Sequence, residues 1–327
     1  MSADLPRVVL VDAFGTVEDV VTGLRGMPAE VVEAKEIPAG PGIVALLVGP
    51  ETGLTAAQVR ALPDLRIVAA TSTGYDHVPV EAVTAQGAWV TTNSGYCTEE
   101  VADHTLALIL GLLRGVTFLD RSVRAGRWDV TEVAPRRIAG TTLGLVGLGR
   151  IGQAVADRAA ALGIRVLAYD PSRDDEVLLR FGAVRCHDLA ELLGAADVVS
   201  LHLPLTPQTD GRFDVRAFAA MRPGAFLVNV ARGRLVDHAA LADALRSGHL
   251  AGAALDVLPV EPPPSGDPLL DCPGLILNPH AAWYSAEALT RPYRQSGGYV
   301  ADVLTGHEPA GAVARPLLGG TLSGGTR

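Results

Sequence analysis

Three side chains able to move or steer charge stand where apolar runs stop. Arg232 follows "GAFLVNVA", Glu261 lies a short way beyond "AGAALDV" and its Asp256, and His280 follows "LILNP". An imidazole titrates near neutral pH and can give or take a proton. A neighbouring carboxylate can orient it and favour its charged form. A guanidinium offers a planar fork of donors suited to a carboxylate or a polarised carbonyl. Taken singly, each residue also reads as a satisfied strand-end histidine, a surface cation or a loop acid. Ligands of open parallel sheets bind at the carboxyl ends of strands, so the three are expected to converge on one crevice. His202 ends "VVSLH" and rivals His280, but no acid follows it in the same pattern. It is read as a cofactor-pocket or structural residue. His77, His104, His187, His238, His249 and His307 show no metal spacing, and no metal site is expected.

The elements that must hold these residues alternate between strand-like and helix-like runs. "RVVLVD", "IVALLV" and "LRIVAAT" are continuous apolar strands of the kind buried in parallel sheets. A long helix is expected from about Glu99, capped by Thr98, with Val101, Leu106, Ile109, Leu110 and Leu113 inward. A second series, "TLGLVG", "RVLAYD", "DVVSLH", "GAFLVNVA", "AGAALDV" and "GLILNP", supplies six strands, enough for a dinucleotide-binding sheet. A further helical stretch is expected from about Ser285 to Leu304. The reading is therefore α/β, with two doubly wound parallel-sheet domains. Residues 1–99 and 284–327 form one, and residues 100–283 are inserted into it.

"TLGLVGLGRIGQAVADRA" places Gly147, Gly149 and Gly152 in GxGxxG spacing between a strand and an amphipathic helix. That context turns a weak motif into a dinucleotide fingerprint. Gly147 permits the tight turn, Gly149 lets backbone approach a pyrophosphate, and Gly152 lets the helix pack closely. Asp170 ends the next strand and can bind ribose hydroxyls while repelling a 2′-phosphate, which favours NAD. Arg173 nearby could instead accept that phosphate, so NADP stays a weaker alternative.

Bulk properties bound the rest. The 327 residues suffice for two domains, and 48% are hydrophobic. The net charge of −9, from 27 basic and 36 acidic residues, argues against nucleic acid or an anionic membrane as the main partner. Cys97, Cys186 and Cys272 form no pair, which suits a reducing, cytoplasmic setting. The N-terminus reads as a strand with no signal peptide, no run approaches membrane-spanning length, and "LGGTLSGGTR" reads as a frayed tail.

Together these segments resemble the D-isomer-specific 2-hydroxyacid dehydrogenase family over nearly the whole chain. The resemblance rests on "TSTGYDHV", "VADHTLALIL", "GLVGLGRIG", "LHLPLTPQT", "NVARGRLVD", "ALDV" and "NPHAAWYS". "HAAWYS" is most similar to the branch that holds the C-terminal-binding corepressors. The resemblance implies a Rossmann cofactor domain inserted into a flavodoxin-like substrate domain, and dimers joined through the cofactor domain. It implies that Arg232, Glu261 and His280 are catalytic and that Ser72, Thr73, Gly74 and Tyr75 bind a substrate carboxylate, with Trp283 walling the substrate pocket. Cofactor contacts would come from Gly147, Gly149, Arg150, Ile151, Gly152, Asp170, His202, Pro204, Thr209, Val230, Ala231 and Asp256, the last near the nicotinamide.

The chain departs from that branch at Ala70, where an arginine is usual, and at "AEALTRPYRQSGG", where Pro292 is expected to bend the helix. Arg291 or Arg294 could supply the missing cation. The implied function is NAD-dependent interconversion of a small 2-oxo acid and its D-2-hydroxy acid. The alternatives are an NAD(H)-responsive, corepressor-like binding protein and a dehydrogenase of a phosphonate or another non-standard hydroxy acid. A phosphoglycerate dehydrogenase carrying a regulatory domain is disfavoured, because the chain leaves no room for one.

Overall fold

A computed structural model of the chain describes residues 5–12 and 14–317. The stretch 318–327, read above as a tail, lies outside the described residues. Two compact units divide the chain: Met1–Tyr96 with Ser285–Arg327, and Cys97–Tyr284. The boundaries expected from the sequence are 99/100 and 283/284, and those of the two units are 96/97 and 284/285.

The first unit holds β1 (Arg7–Val11), β2 (Glu30–Glu33), β3 (Ile43–Val48), β4 (Ile67–Ala70), β5 (Trp89–Thr92) and, near the chain end, β13 (Ala312–Ala314). They form one sheet in the order β13-β5-β4-β3-β1-β2. All its pairings are parallel except β13 with β5. The order β2-β1-β3-β4-β5 is that of flavodoxin-like folds. The apolar runs of β1, β3 and β4 are buried on both faces: Val9, Leu46 and Val68 pack into one core, and Val8, Leu10 and Leu47 into the other. Alternation along each strand produces this division.

The helix Arg291–Leu304 covers the second face with Tyr293, Val300 and Val303. It starts six residues later than expected, after turns over 286–290. Pro292 sits in its first turn and does not bend it. A first-turn N–H has no intrahelical partner, so proline costs nothing there.

The second unit is a seven-stranded parallel sheet: β6 (Thr142–Val146), β7 (Arg165–Tyr169), β8 (Ala183–Arg185), β9 (Val198–Leu201), β10 (Ala225–Asn229), β11 (Leu250–Leu255) and β12 (Leu275–Leu277). Its order is β12-β11-β10-β9-β6-β7-β8. The strand order reverses between the neighbours β6 and β9, the place where such sheets bind ligands. β8 is the strand of this unit not expected from the sequence, as β2, β5 and β13 are in the first; its three residues, one of them buried, carry little periodic signal. The expected long helix spans Thr98–Arg114, but Cys97 occupies the cap position with no side-chain cap. Thr98 is therefore inside the first turn and is not the cap. No helix among the described residues is long and apolar enough to cross a membrane.

Candidate active site

The three charged candidates follow three neighbouring strands. Arg232 comes after β10, Asp256 and Glu261 after β11, and His280 after β12, with β10 paired to β11 and β11 to β12. Adjacent strand ends bring Glu261 to His280: Nδ1 of the imidazole lies 2.7 Å from Glu261 Oε2. A carboxylate only accepts, so Nδ1 carries a proton and Nε2 is the atom free to exchange one. The other Glu261 oxygen accepts the Leu258 N–H at 2.8 Å, which fixes the carboxylate.

His280 has φ +55°, a left-handed conformation costly for a side chain with a Cβ. Asp256 holds the backbone there. Its carbonyl accepts the His280 N–H at 2.7 Å, and its two carboxylate oxygens accept the Ala281 and Ala282 N–H groups at 2.8 and 2.9 Å. Asp256 is 1% exposed. Its carboxylate thus anchors the His280 turn, a role the sequence reading missed when it placed Asp256 only beside the nicotinamide. Three charge-assisted or backbone contacts converging on one turn are what can hold a strained residue in place. His104 adds to the same cluster, with Nε2 3.3 Å from Asn278 Oδ1 and 3.8 Å from Asp256 Oδ1. Spacing alone gave no sign of this, since His104 lies on a helix remote in sequence.

Burial works against the charged form of His280. The hydrogen bond and charge of Glu261, with the charge of Asp256, outweigh burial and the opposing Arg232, and the imidazole pKa is raised. Burial likewise pushes Glu261 up, but the His280 and Leu258 hydrogen bonds and nearby positive charge pull it below the usual carboxylate value. The pair therefore favours imidazolium beside carboxylate. His202 behaves oppositely: burial lowers it to about 4, and Nε2 lies 3.0 Å from Ser200 Oγ. It is neutral near pH 7 and unsuited to the acid role.

Arg232 is half-buried. Its backbone is bracketed by Asn229, whose Nδ2 donates to the Arg232 carbonyl at 2.9 Å and whose Oδ1 accepts the Ala231 N–H at 3.0 Å. Val230 is buried beside them. Asn229 is a second residue the sequence reading passed over. A fully buried asparagine closing an apolar strand was the available signal.

The glycine loop takes the geometry expected of it. Gly147 has φ +97°, and a Cβ there would lie 2.6 Å from the His202 carbonyl oxygen. A Cβ on Gly152 would lie 2.5 Å from the Gly147 carbonyl oxygen, while one on Gly149 would meet nothing within 4 Å. The helix Arg150–Ala161 begins with no side-chain cap, which leaves its leading amides, those of Arg150 and Ile151 among them, able to receive an anion. Asp170 ties the two loops of this edge together: it accepts the Leu148 N–H at 2.8 Å and the Ser172 N–H and O–H at 2.9 and 2.7 Å. Burial raises its pKa, but those bonds and Arg173 more than offset this, leaving it anionic. The loop after β9 is closed by Thr209, whose hydroxyl donates to the Pro204 carbonyl at 2.7 Å. These features fit a dinucleotide: uncapped amides for the pyrophosphate and an anionic carboxylate at the neighbouring strand end.

Ser72–Tyr75 lies in the first unit, directly after β4. None of the N–H groups of Ser72, Thr73, Gly74 and Tyr75 has an acceptor among the described residues, whereas the carbonyls of Ser72, Thr73 and Gly74 are all engaged. Such a row of amides without acceptors can receive an anion. Trp283 is half-buried and meets Tyr284 edge to face, with ring centroids 5.5 Å apart.

Residues 106–282 match the family model for the NAD binding domain of D-isomer specific 2-hydroxyacid dehydrogenases. A D-3-phosphoglycerate dehydrogenase of Mycobacterium leprae is 40% identical over 294 residues, 88% of this chain and 55% of that protein. The chain thus spans about half the length of the curated D-3-phosphoglycerate dehydrogenases it matches. A glyoxylate reductase of Korarchaeum cryptofilum is 42% identical over 253 residues, 76% of this chain and 75% of that one. The solved NADPH-dependent glyoxylate/hydroxypyruvate reductase of Sinorhizobium meliloti superposes with a TM-score of 0.83 at 30% identity, covering 95% of this chain and 97% of that one. With its Rossmann sheet, its glycine loop and this breadth of match, the chain belongs to the D-isomer specific 2-hydroxyacid dehydrogenase family.

Proposed function

We propose that the chain is an NAD(H)-dependent oxidoreductase interconverting a small 2-oxo acid and its D-2-hydroxy acid. The observation that carries this reading is the 2.7 Å Glu261–His280 pair, held on a strained turn at the end of a dinucleotide-binding sheet. When bound, the nicotinamide supplies or accepts the hydride. His280 Nε2 delivers the proton to the carbonyl oxygen at C2 in reduction and removes it in oxidation. Glu261 orients the ring and stabilises its charged form. Arg232 polarises the carbonyl and pairs with the substrate carboxylate, and the Ser72–Tyr75 amides are the carboxylate receptor of the first unit. The anionic, strand-end Asp170 supports NAD over NADP.

The working form is proposed to be a cytoplasmic homodimer. Val116, Trp128 and Val130 of the second unit, 59%, 89% and 80% exposed, offer apolar surface for a second copy.

The proton role fixes the sign of the pH dependence. Reduction needs imidazolium, so its rate falls as pH rises through the raised His280 pKa. Oxidation needs the neutral ring and rises through the same value. Glu261→Gln removes the counter-charge, so both limbs are expected to move to lower pH in profiles of kcat/KM. A profile that stays in place, with wild-type rates, removes Glu261 from the mechanism.

The first unit also bears on which acid is reduced. No lysine or arginine occurs from Ile67 to Leu113. A Cβ at Gly49 would fall 2.5 Å from Asp12 Oδ2 and 3.1 Å from Glu51 Oε2, so the ends of β1 and β3 bring two carboxylates together, and the hydroxyl of Thr71, next to the amide row, donates to Asp12 at 2.5 Å. These features support a substrate without a second anionic group. A screen of NADH oxidation over 2-oxo acids tests function and specificity together. Glyoxylate or hydroxypyruvate should exceed 3-phosphohydroxypyruvate in kcat/KM by at least about tenfold, roughly one uncompensated charge contact. Equal or better use of the phosphorylated acid overturns the specificity. Tight NADH binding with no turnover of any 2-oxo acid overturns the function.

A further inference from the structure

The amide row at Ser72–Tyr75 is bare because something else in the first unit takes up the loop's carbonyls. The Thr92 hydroxyl, at the end of β5, lies 2.7 Å from both the Ser72 and the Thr73 carbonyl oxygens. The next residue, Asn93, donates its backbone N–H to the Ser72 carbonyl at 3.1 Å, and its own carbonyl accepts the Thr73 hydroxyl at 3.1 Å. Its Nδ2 reaches the Ala70 carbonyl at 2.9 Å and Ser296 Oγ, on the helix Arg291–Leu304, at 2.8 Å. Ser72 Oγ completes the set by donating to the Gly74 carbonyl at 2.7 Å. Thr92 is 6% exposed, and Asn93 and Ser296 are fully buried.

A peptide group that turns its C=O inward must turn its N–H outward, because the unit is planar and trans. Engaging the Ser72, Thr73 and Gly74 carbonyls therefore turns the N–H groups of the same peptide units, those of Thr73, Gly74 and Tyr75, away from the groups that hold those carbonyls. We propose that Thr92 and Asn93 are positioning residues for substrate binding. Thr92 clamps the Ser72 and Thr73 carbonyls so that the row of amides receives the substrate carboxylate, and Asn93 ties that clamp to β4 and the last helix. The inference rests on the reading of Ser72–Tyr75 as the carboxylate receptor. Neither residue touches the substrate, and both act through the loop. Thr92 is the more telling of the two, because its single O–H is shared between two carbonyl oxygens and valine matches its shape without that hydroxyl.

The test compares Thr92→Val with Thr92→Ser. Thr92→Val is expected to raise KM for glyoxylate and hydroxypyruvate about tenfold, the worth of one or two hydrogen bonds, with kcat within about threefold of wild type. The NADH dissociation constant should stay within about twofold, since the cofactor residues are untouched. Thr92→Ser keeps the hydroxyl and should restore KM. A general structural role would move melting temperature, kcat and NADH affinity together and would not respond to which residue carries the hydroxyl. Oxalate binding to the NADH-loaded protein, followed by nicotinamide fluorescence, reads the same row without turnover. Weaker oxalate binding in Thr92→Val, regained in Thr92→Ser, supports the clamp even if no 2-oxo acid is reduced, an outcome that would count against the proposed reaction alone. Unchanged KM and oxalate affinity in a folded Thr92→Val protein overturns the proposal. If Thr92→Val does not fold, Asn93→Ser is measured in the same way, with the same two outcomes.

Discussion

His280→Ala is expected to lower kcat for 2-oxo acid reduction by about 10²–10⁴-fold, the usual worth of a positioned general acid, and to leave NADH affinity within about threefold of wild type. Nδ1 is committed to Glu261 at 2.7 Å, so Nε2 is the proton-exchanging atom, whereas His104 lies 3.8 Å from the Asp256 carboxylate. The backbone needs its own control. His280 sits at φ +55°, where alanine pays for its Cβ but asparagine is tolerated. His280→Asn should therefore lose as much activity as His280→Ala while melting closer to wild type. Loss of NADH binding in both variants would mark His280 as structural. Near-wild-type turnover in either would remove it from the chemistry.

Arg232→Lys is expected to reduce kcat/KM by about 10²-fold or more, comparable to losing an oriented donor at a developing charge. The charge survives this change and the geometry does not. The Arg232 backbone is held by Asn229 on both sides, so the side chain leaves a rigid point, and a guanidinium fork can meet two acceptors from there. A lysine ammonium is a single flexible charge. Most of the loss should appear in kcat if Arg232 polarises the carbonyl, and in KM if it only pairs with the carboxylate. Activity within about twofold of wild type would show that Arg232 is not the substrate clamp.

Much of this was legible from residue order. The strands that carry Arg232, Asp256 and His280 are continuous apolar runs, and their buried ends mark where polar side chains emerge. GxGxxG between a strand and a helix specified turn, close packing and open approach, and Gly147, Gly152 and Gly149 take those parts. The missed features share a cause: they are hydrogen bonds between segments far apart in sequence. Asp256 reaches Ala281 and Ala282, Thr92 reaches Ser72 and Thr73, and His104 reaches Asn278. Periodicity reports which face is buried but not which remote carbonyl a hydroxyl will meet. Thr98 lies one position inside its helix against its capping preference, and Pro292 lies in the first turn of its own, because a shift of one or two residues in a helix start leaves the apolar periodicity unchanged.

The proposed reaction is hydride transfer to C2 of a 2-oxo acid with defined handedness. The most direct measurement is reduction of hydroxypyruvate with NADH deuterated at C4, followed by chiral analysis and NMR of the glycerate formed. The account predicts deuterium at C2 of D-glycerate with wild-type protein, and no labelled product above background with His280→Asn. Label at C2 of L-glycerate, label absent from C2, or equal labelling by the His280→Asn protein would contradict it.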